Sequence, residues 1–405
     1  MKGWEEDIFN NFIKLNRGFD LPEKDIIEGT YPVVASTSIK TYHKYYKVNP
    51  PAVVTGRSGS LGTVQYINKK CWPLNTSLYV KDFKGNYPKY VFYFLKTFHL
   101  ENFNSGAGVP TLNQNHLHKL KIRIPPLPIQ RKIAAVLSAY DDLIENNNHR
   151  IALLEKMAEE LYREWFVRLR FPGHDSVGNR HACSLHKGVP EGWEIRTVEN
   201  TFKFLGGGTP STTASGYWHD GEINWYSPTD LTAANALFSF QSRIRITELG
   251  LRESSARLFP PYSIMMTSRA TIGQISINTT PACTNQGFIT CIPNEKVSLF
   301  FLYHWLKLNK DNFIQLSNGA TFLELTKGKF KNIKILVPSA QIMGSFSDKQ
   351  KPLFNSIENL LKQNDLLTTS RDRLLSRLMS GKIDLENLDI RFPASMKEEE
   401  VTAHA

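Results

Sequence analysis

The chain repeats itself, and the repeat limits the possible folds more than any other feature. Ile144-Glu145-Asn146 returns 213 residues later as Ile357-Glu358-Asn359. The same offset takes Leu153-Leu154 to Leu366-Leu367, Leu161 to Leu374 and Trp165 to Leu378. Upstream it takes Ile122-x-Ile124-Pro125 to Ile335-x-Val337-Pro338. A strand-like run, a proline and a leucine-rich stretch that keep one register are the mark of a tandem duplication. With small slips the match runs further back. Ser60-Leu61-Gly62-Thr63-Val64 resembles Thr271-Ile272-Gly273-Gln274-Ile275, and Asn75-Thr76-Ser77 falls where Asn285-Gln286-Gly287 does. Phe92-Tyr93-Phe94-Leu95 resembles Leu302-Tyr303-His304-Trp305, and Ser105-Gly106-Ala107-Gly108 resembles Ser317-Asn318-Gly319-Ala320. The 405 residues therefore read as two halves of one plan, each a globular part followed by a long helix.

The helices carry heptad seams. Ile133, Leu137, Tyr140, Ile144, Asn147, Ile151, Leu154, Ala158, Leu161 and Trp165 step by four and three without a slip. Phe346, Gln350, Leu353, Ile357, Leu360, Asn364, Leu367, Arg371, Leu374 and Leu378 do the same in the second half. Such a spacing is a coiled-coil seam. Pro125, Pro126 and Pro128 punctuate the first helix start, Phe171-Pro172-Gly173 its end, and Gly381 ends the second. Two seams in one chain most simply pack on each other, antiparallel if the halves are related by a pseudo-two-fold axis. The alternative is that each packs on its own globular part. At 1.5 Å per residue, roughly 35–40 helical residues span about 55 Å and would hold the globular parts apart. Asn147 and Asn364 are polar seam members of the kind that fix register.

The globular parts mix patterns. Residues 31–36, 52–55, 62–67 and 78–80 are β-branched or aromatic runs bounded by Gly, Pro and Asn, which predicts strands. Residues 89–98 and 298–308 have helical spacing. The class is mixed α+β. The boundaries are a first domain at 1–125, its helix at 126–170, a polar linker at 171–189, a second domain at 190–338, its helix at 339–382 and a tail at 383–405, frayed from 396.

Lys and Arg number 49 against 38 Asp and Glu, a net charge of +11. That excess points to a polyanion such as nucleic acid, or to an anionic membrane surface. Acidic residues are dense along the first helix (Asp141, Asp142, Glu145, Glu155, Glu159, Glu160, Glu164), so the excess should lie mainly on the globular domains. The acidic start lacks the regions of a signal peptide, and no apolar run approaches a membrane span. Cys71, Cys183, Cys283 and Cys291 have no metal or disulfide spacing, which fits ordinary buried thiols in a reducing cytoplasm. Two related reading domains on a fixed spacer predict a split duplex target, with half-sites about one helical turn apart.

The chain offers little for catalysis. Asn49-Pro50-Pro51 begins like the N/D-P-P-Y/F motif of amino-methyltransferases, but Ala52 stands where the stacking aromatic belongs. No phosphate-binding glycine loop, E-x-K nuclease triplet or H-x-x-x-H pair is present. The expectation is no catalytic residue, no metal and no cofactor in this chain. The competing readings are a methyltransferase or nuclease with diverged motifs, and an interaction module that uses the helices without DNA.

Base edges are read by Arg, Asn, Gln, Lys and hydroxyl side chains. In the first domain the candidates are Lys40, Lys44 and Lys47, interleaved with His43 and tyrosines, then Arg57, Ser58 and Ser60, Asn75, Asn113 and Gln114. In the second they are Gly207, Thr209, Ser211, Thr212, Arg269, Thr271, Asn285, Gln286, Asn318 and Thr321. Trp218, Trp225 and Tyr93 read as core.

The order of these features resembles the specificity (S) subunit of type I restriction–modification systems. Pro125-Pro126-Leu127-Pro128-Ile129-Gln130-Arg131-Lys132-Ile133 is similar to that family's P-P-L-x-x-Q-x-x-I helix entry. Gly206-Gly207-Gly208-Thr209-Pro210-Ser211, then Tyr217-Trp218 and Ile223-Asn224-Trp225-Tyr226-Ser227-Pro228-Thr229-Asp230, are similar to its target recognition domains. Ser268-Arg269-Ala270-Thr271-Ile272-Gly273 followed by Asn285-Gln286-Gly287 also fits. The resemblance covers about residues 10–390. The second helix entry lacks the double proline, and Arg17-Gly18-Phe19-Asp20-Leu21-Pro22 stands where the second domain has its glycine run, so the two domains should read different sequences. The resemblance implies a non-catalytic subunit whose domains bind the halves of an asymmetric bipartite DNA site. It implies helices that set the spacing and recruit two methyltransferase (M) subunits, which bind S-adenosylmethionine and methylate adenine N6. Restriction (R) subunits using ATP and Mg would join that core, and no membrane partner is implied.

Overall fold

The computed structural model describes residues 3–106, 108–173, 190–319 and 323–396. They divide into two compact units, one within residues 1–146 and 364–405, the other within 147–363. The expected strands form, with ends shifted by one or two residues.

In the first unit a four-stranded antiparallel sheet has the order Lys14–Arg17, Ser77–Asp82, Ala52–Gly56, Val64–Ile67. Beside it lies a three-stranded sheet, Ile39–His43, Tyr31–Val34, Trp72–Pro73, antiparallel in its first pair and parallel in its second. Glu5–Ile8 pairs antiparallel with Lys121–Ile124. Ala52–Gly56 is buried throughout. Its alternating side chains serve two cores: Val53 joins the cluster of Tyr90, Tyr93 and Leu95, while Ala52 and Val54 join Val34, Cys71 and Tyr79. A strand covered on both faces shows no polar alternation in its sequence.

The second unit repeats this plan. Its main sheet runs Lys203–Gly206, Phe288–Ile292, Ile264–Thr267, Ile275–Asn278, and adds Phe238–Ser239 in parallel at the edge. Its smaller sheet is Ile244–Ile246, Ile223–Tyr226, Ala282–Thr284, again antiparallel then parallel. Glu194–Thr197 pairs with Lys334–Val337 as the first and last strands do in the other unit. Ile264 and Met266 face one core and Met265 another, the same division as in Ala52–Gly56. The helices Pro88–Thr97 and Leu299–Leu308 occupy equivalent places.

The long helices are Leu127–Tyr162, continued by a π-helical turn at Arg163–Val167, and Ala340–Met379. Every residue of both predicted seams is buried or half-buried. In the first unit Ile133 and Leu137 share a core with Leu375 and Leu378, and Asp141 pairs with Arg371 at 2.7 Å. In the second, Gln350 donates to the Ala158 carbonyl at 2.8 Å and Trp165 meets Phe346, with ring centroids 5.7 Å apart. Numbers rise on one helix as they fall on the other, so the two helices run antiparallel in that unit. The alternative packing is present as well, since Ile133 and Leu137 share their core with Tyr90 and Tyr93 of the first globular part and Phe354 packs on the second, while the end of the first helix also meets the second globular part. Tyr162 stacks near Phe301 and His304, and Phe354 near Phe300 and Tyr303. The buried face is therefore wider than a two-position seam and takes in Ala134, Tyr162, Phe354 and Leu375, which heptad spacing alone leaves out.

The helix-entry motif has a local cause. Gln130 is buried, accepts from the Tyr87 amide at 2.9 Å, and donates to Asn86 Oδ1 at 2.7 Å and to the Pro125 carbonyl at 3.0 Å. One side chain thus ties the helix start to the N-terminus of Pro88–Thr97. At the repeat-equivalent position Met343 meets the hydroxyl of Ser298, the N-cap of Leu299–Leu308.

Candidate nucleic-acid interface

In each unit loops from distant parts of the sequence meet at one end of the main sheet. In the first, the amides of Arg57 and Ser58 donate to the Thr76 carbonyl at 2.8 and 3.0 Å. The Gly59 amide reaches the Pro110 carbonyl at 2.9 Å, and the Leu112 amide reaches that of Arg57 at 2.8 Å. The Phe19 amide donates to the Pro73 carbonyl at 2.8 Å. The second unit repeats the pattern. The Ser268 amide donates to the Gly287 carbonyl at 2.8 Å, Leu325 to Ser268 at 2.9 Å, and Gly208 to Thr284 at 2.9 Å. Strand pairing forces this convergence, since each loop leaves the same end of neighbouring strands.

The cluster gathers most of the residues singled out from sequence. Arg57, Ser58, Ser60 and Asn75 are half-buried to exposed in the first unit, and the Arg57 guanidinium donates to the Asn75 carbonyl at 3.3 Å. The Asn75 amide donates to Asp20. Asn113 caps a short helix by accepting from the Asn115 amide, and the Gln114 side-chain oxygen is buried without a partner among the described residues. In the second unit the Thr209 hydroxyl donates to Gln286 at 2.5 Å, and Ser211, Thr212, Thr271 and Asn318 are exposed. Asn285 accepts from the Gly287 amide at 2.9 Å and so shapes its own turn. Thr321 lies outside the described residues.

Lys40, Lys44 and Lys47 are exposed on or beside the smaller sheet, with Tyr42, Tyr45 and Tyr46 exposed among them. Lys40 pairs with Glu23 at 2.8 Å and holds that carboxyl below its ordinary pKa. The Lys47 ammonium sits 5.0 Å from the Trp72 ring centroid. His43 belongs to the interior instead: it is buried, and its Nδ1 lies against the Ile27 backbone. Trp225 and Tyr93 are core residues, as expected, and Trp218 is half-buried against Trp225. Cys71, Cys283 and Cys291 are buried free thiols, and burial pushes Cys71 and Cys283 up to about 12. Among the described residues no group of His, Cys, Asp and Glu is placed to hold a metal, and no helix is long and apolar enough to cross a membrane.

Sequence reading missed Glu324. Its carboxylate meets Arg269 Nε at 2.9 Å, and its backbone exchanges hydrogen bonds with Asn318. The partners are 55 residues apart (269 to 324), so nothing local signals the contact. The charge is also divided less evenly than the duplication suggests. Residues 1–125 hold 17 Lys and Arg against 9 Asp and Glu, while residues 190–338 hold 14 against 11. Most of the basic excess belongs to the first domain.

The family model for the type I restriction modification DNA specificity domain matches residues 1–156 and 190–375. The specificity subunit of type I restriction enzyme MjaIX from Methanocaldococcus jannaschii is 34% identical over 181 residues, 44% of this chain and 42% of that one. The chain thus spans less than half the length of that relative. The HindI specificity subunit from Haemophilus influenzae is 26% identical over 335 residues, 68% of this chain and 71% of that one. The MjaVIII specificity subunit, also from M. jannaschii, is 24% identical over 415 aligned residues, 95% of this chain and 94% of that one. The crystal structure of a type I restriction–modification S subunit from M. genitalium shares the fold, with a TM-score of 0.59 at 19% identity over 93% of this chain and 96% of that one. Two stretches of one family model, each laid over one copy of the duplication, show that this chain belongs to the type I restriction–modification DNA specificity subunits, a non-catalytic class.

Proposed function

We propose that each domain reads one half of an asymmetric bipartite DNA target through its loop cluster. The observation that carries this reading is the pair of clusters themselves. The same backbone bonds hold both, but the side chains differ: Asn75 and Arg57 in one, Asn285, Gln286 and the Arg269–Glu324 pair in the other. One scaffold with two sets of polar side chains suits two different half-sequences. The long helices set the distance between half-sites and present surfaces to two methyltransferase subunits. Those partners bind S-adenosylmethionine and modify adenine N6, and restriction subunits using ATP and Mg add cleavage. The complex works in the cytoplasm.

Sequence-resolved mapping of methylated adenine in cells carrying this chain and its methyltransferase partner tests the reading. The expected result is one bipartite motif with a modified adenine on each strand. Absence of any new motif overturns it. S-adenosylmethionine binding by the purified chain alone would favour the competing enzyme reading.

A further inference from the structure

The two loop clusters differ in how they hold their arginine. Arg57 spends a terminal amino group on the Asn75 carbonyl and has no carboxylate partner among the described residues. Arg269 is engaged through Nε, by Glu324 at 2.9 Å, and no hydrogen bond among the described residues takes up its terminal amino groups. The Arg269 and Glu324 side chains remain partly open, at 45% and 37% of full exposure. The backbone beneath them is fixed from both sides. The Glu324 amide and carbonyl pair with Asn318 at 2.9 and 3.1 Å, Ala270 donates to Leu323 at 3.2 Å, and Leu325 donates to Ser268 at 2.9 Å. An ion pair at Nε draws that edge of the guanidinium towards Glu324 and leaves the terminal edge available. A fork of that kind matches O6 and N7 of guanine in the major groove. A carboxylate is a poor neighbour for phosphate, so a Glu kept at this place fits base reading better than backbone contact.

We infer that Arg269, oriented by Glu324, reads a guanine in the half-site of the second domain, with Glu324 as a positioning residue. The inference rests on the reading of the loop clusters as the DNA-facing ends of the domains.

The test is adenine-methylation mapping in cells carrying the methyltransferase partner and either the natural chain, Arg269→Ala, Arg269→Lys, Glu324→Ala or Glu324→Gln. The natural chain should give a motif with a fixed guanine in one half-site. Arg269→Ala should relax that single position, with roughly a 10–100-fold loss of preference for guanine, and leave the other half-site unchanged. Arg269→Lys keeps the charge but not the fork and should relax the same position. Glu324→Ala should relax it too, while Glu324→Gln, which keeps a side-chain oxygen of the same reach, should restore most of the preference. Thermal unfolding of each variant identifies any that fails to fold. An unchanged motif with uniformly weaker methylation in Arg269→Ala overturns the inference, since that is the signature of a phosphate contact. A motif unaltered by Glu324→Ala overturns the positioning role. If the natural chain gives no bipartite motif, the proposed function fails instead.

Discussion

Gly18 and Gly207 occupy the same place in the two domains, and the reason is proximity to backbone. A Cβ on Gly207 would lie 2.1 Å from the Asn285 carbonyl and 2.2 Å from that of Thr284. On Gly18 it would lie 2.2 Å from the Leu74 carbonyl. One residue of the Gly206-Gly207-Gly208 run therefore has a counterpart in Arg17-Gly18-Phe19, although the surrounding sequences differ. Gly207→Ala should displace the loop at 284–287 and cost about 1–3 kcal/mol, read by thermal unfolding. An unchanged melting temperature would count against this packing role. His304 makes a second residue-level prediction. It is buried beside Tyr162 and Tyr303, and burial, aided by the Lys307 charge, pushes its pKa down to about 3 from an ordinary 6.5. Between those values the unfolded chain binds a proton that the folded chain does not. Stability is therefore intact above pH 6.5 and falls as pH drops towards 3, by on the order of 5 kcal/mol in full. His304→Phe should move the acid-unfolding midpoint to lower pH, and an unshifted midpoint would contradict the coupling. Neither the glycine contact nor the buried imidazole shows in the sequence, because both depend on what chain folding brings alongside.

At the scale of elements, the heptad spacing specifies which helix residues are buried, and every predicted seam position is. It underestimates the width of the face, because Phe354 also packs on Phe300 and Tyr303 of its own domain and Tyr162 on Phe301 and His304 of the second domain. The segment after the second helix is more than a tail. Leu385 and Met396 are buried in the first unit, and the Ser395 hydroxyl donates to Asp142 at 2.8 Å. Lys132 holds it there, donating to the carbonyls of Leu385, Glu386 and Leu388 at 3.0, 2.8 and 2.8 Å. Lys132→Met keeps the aliphatic stem and removes all three charge-assisted bonds. It should cost about 1.5–3 kcal/mol and open residues 383–396 to limited proteolysis. Equal protease resistance in the variant would show that apolar burial suffices.

For the whole molecule, the first domain should dominate non-specific binding, since it carries 17 basic against 9 acidic residues. Affinity for random duplex should fall steeply with salt, by roughly 10³-fold or more between about 50 and 200 mM. Replacing Lys44 and Lys47 with Gln should lower the salt slope by roughly 2, about 0.9 per lost phosphate contact, measured by filter binding. A slope identical to that of the natural chain would remove these lysines from the interface.

The sequence by itself determined the duplication, the paired heptad seams, the mixed class and the family, because each is written in local spacing and order. It also marked most residues of the loop clusters through their polar, glycine-rich composition. Only the tertiary structure decided which of these side chains are spent on the fold and which face outward. His43 went to the interior, Asn113 to a helix cap and Asn285 to its own turn, while Arg269 found Glu324 across 55 residues of chain. Those outcomes depend on strand order and on which loops leave the same end of a sheet. Such pairings join residues far apart in sequence, so no local pattern records them.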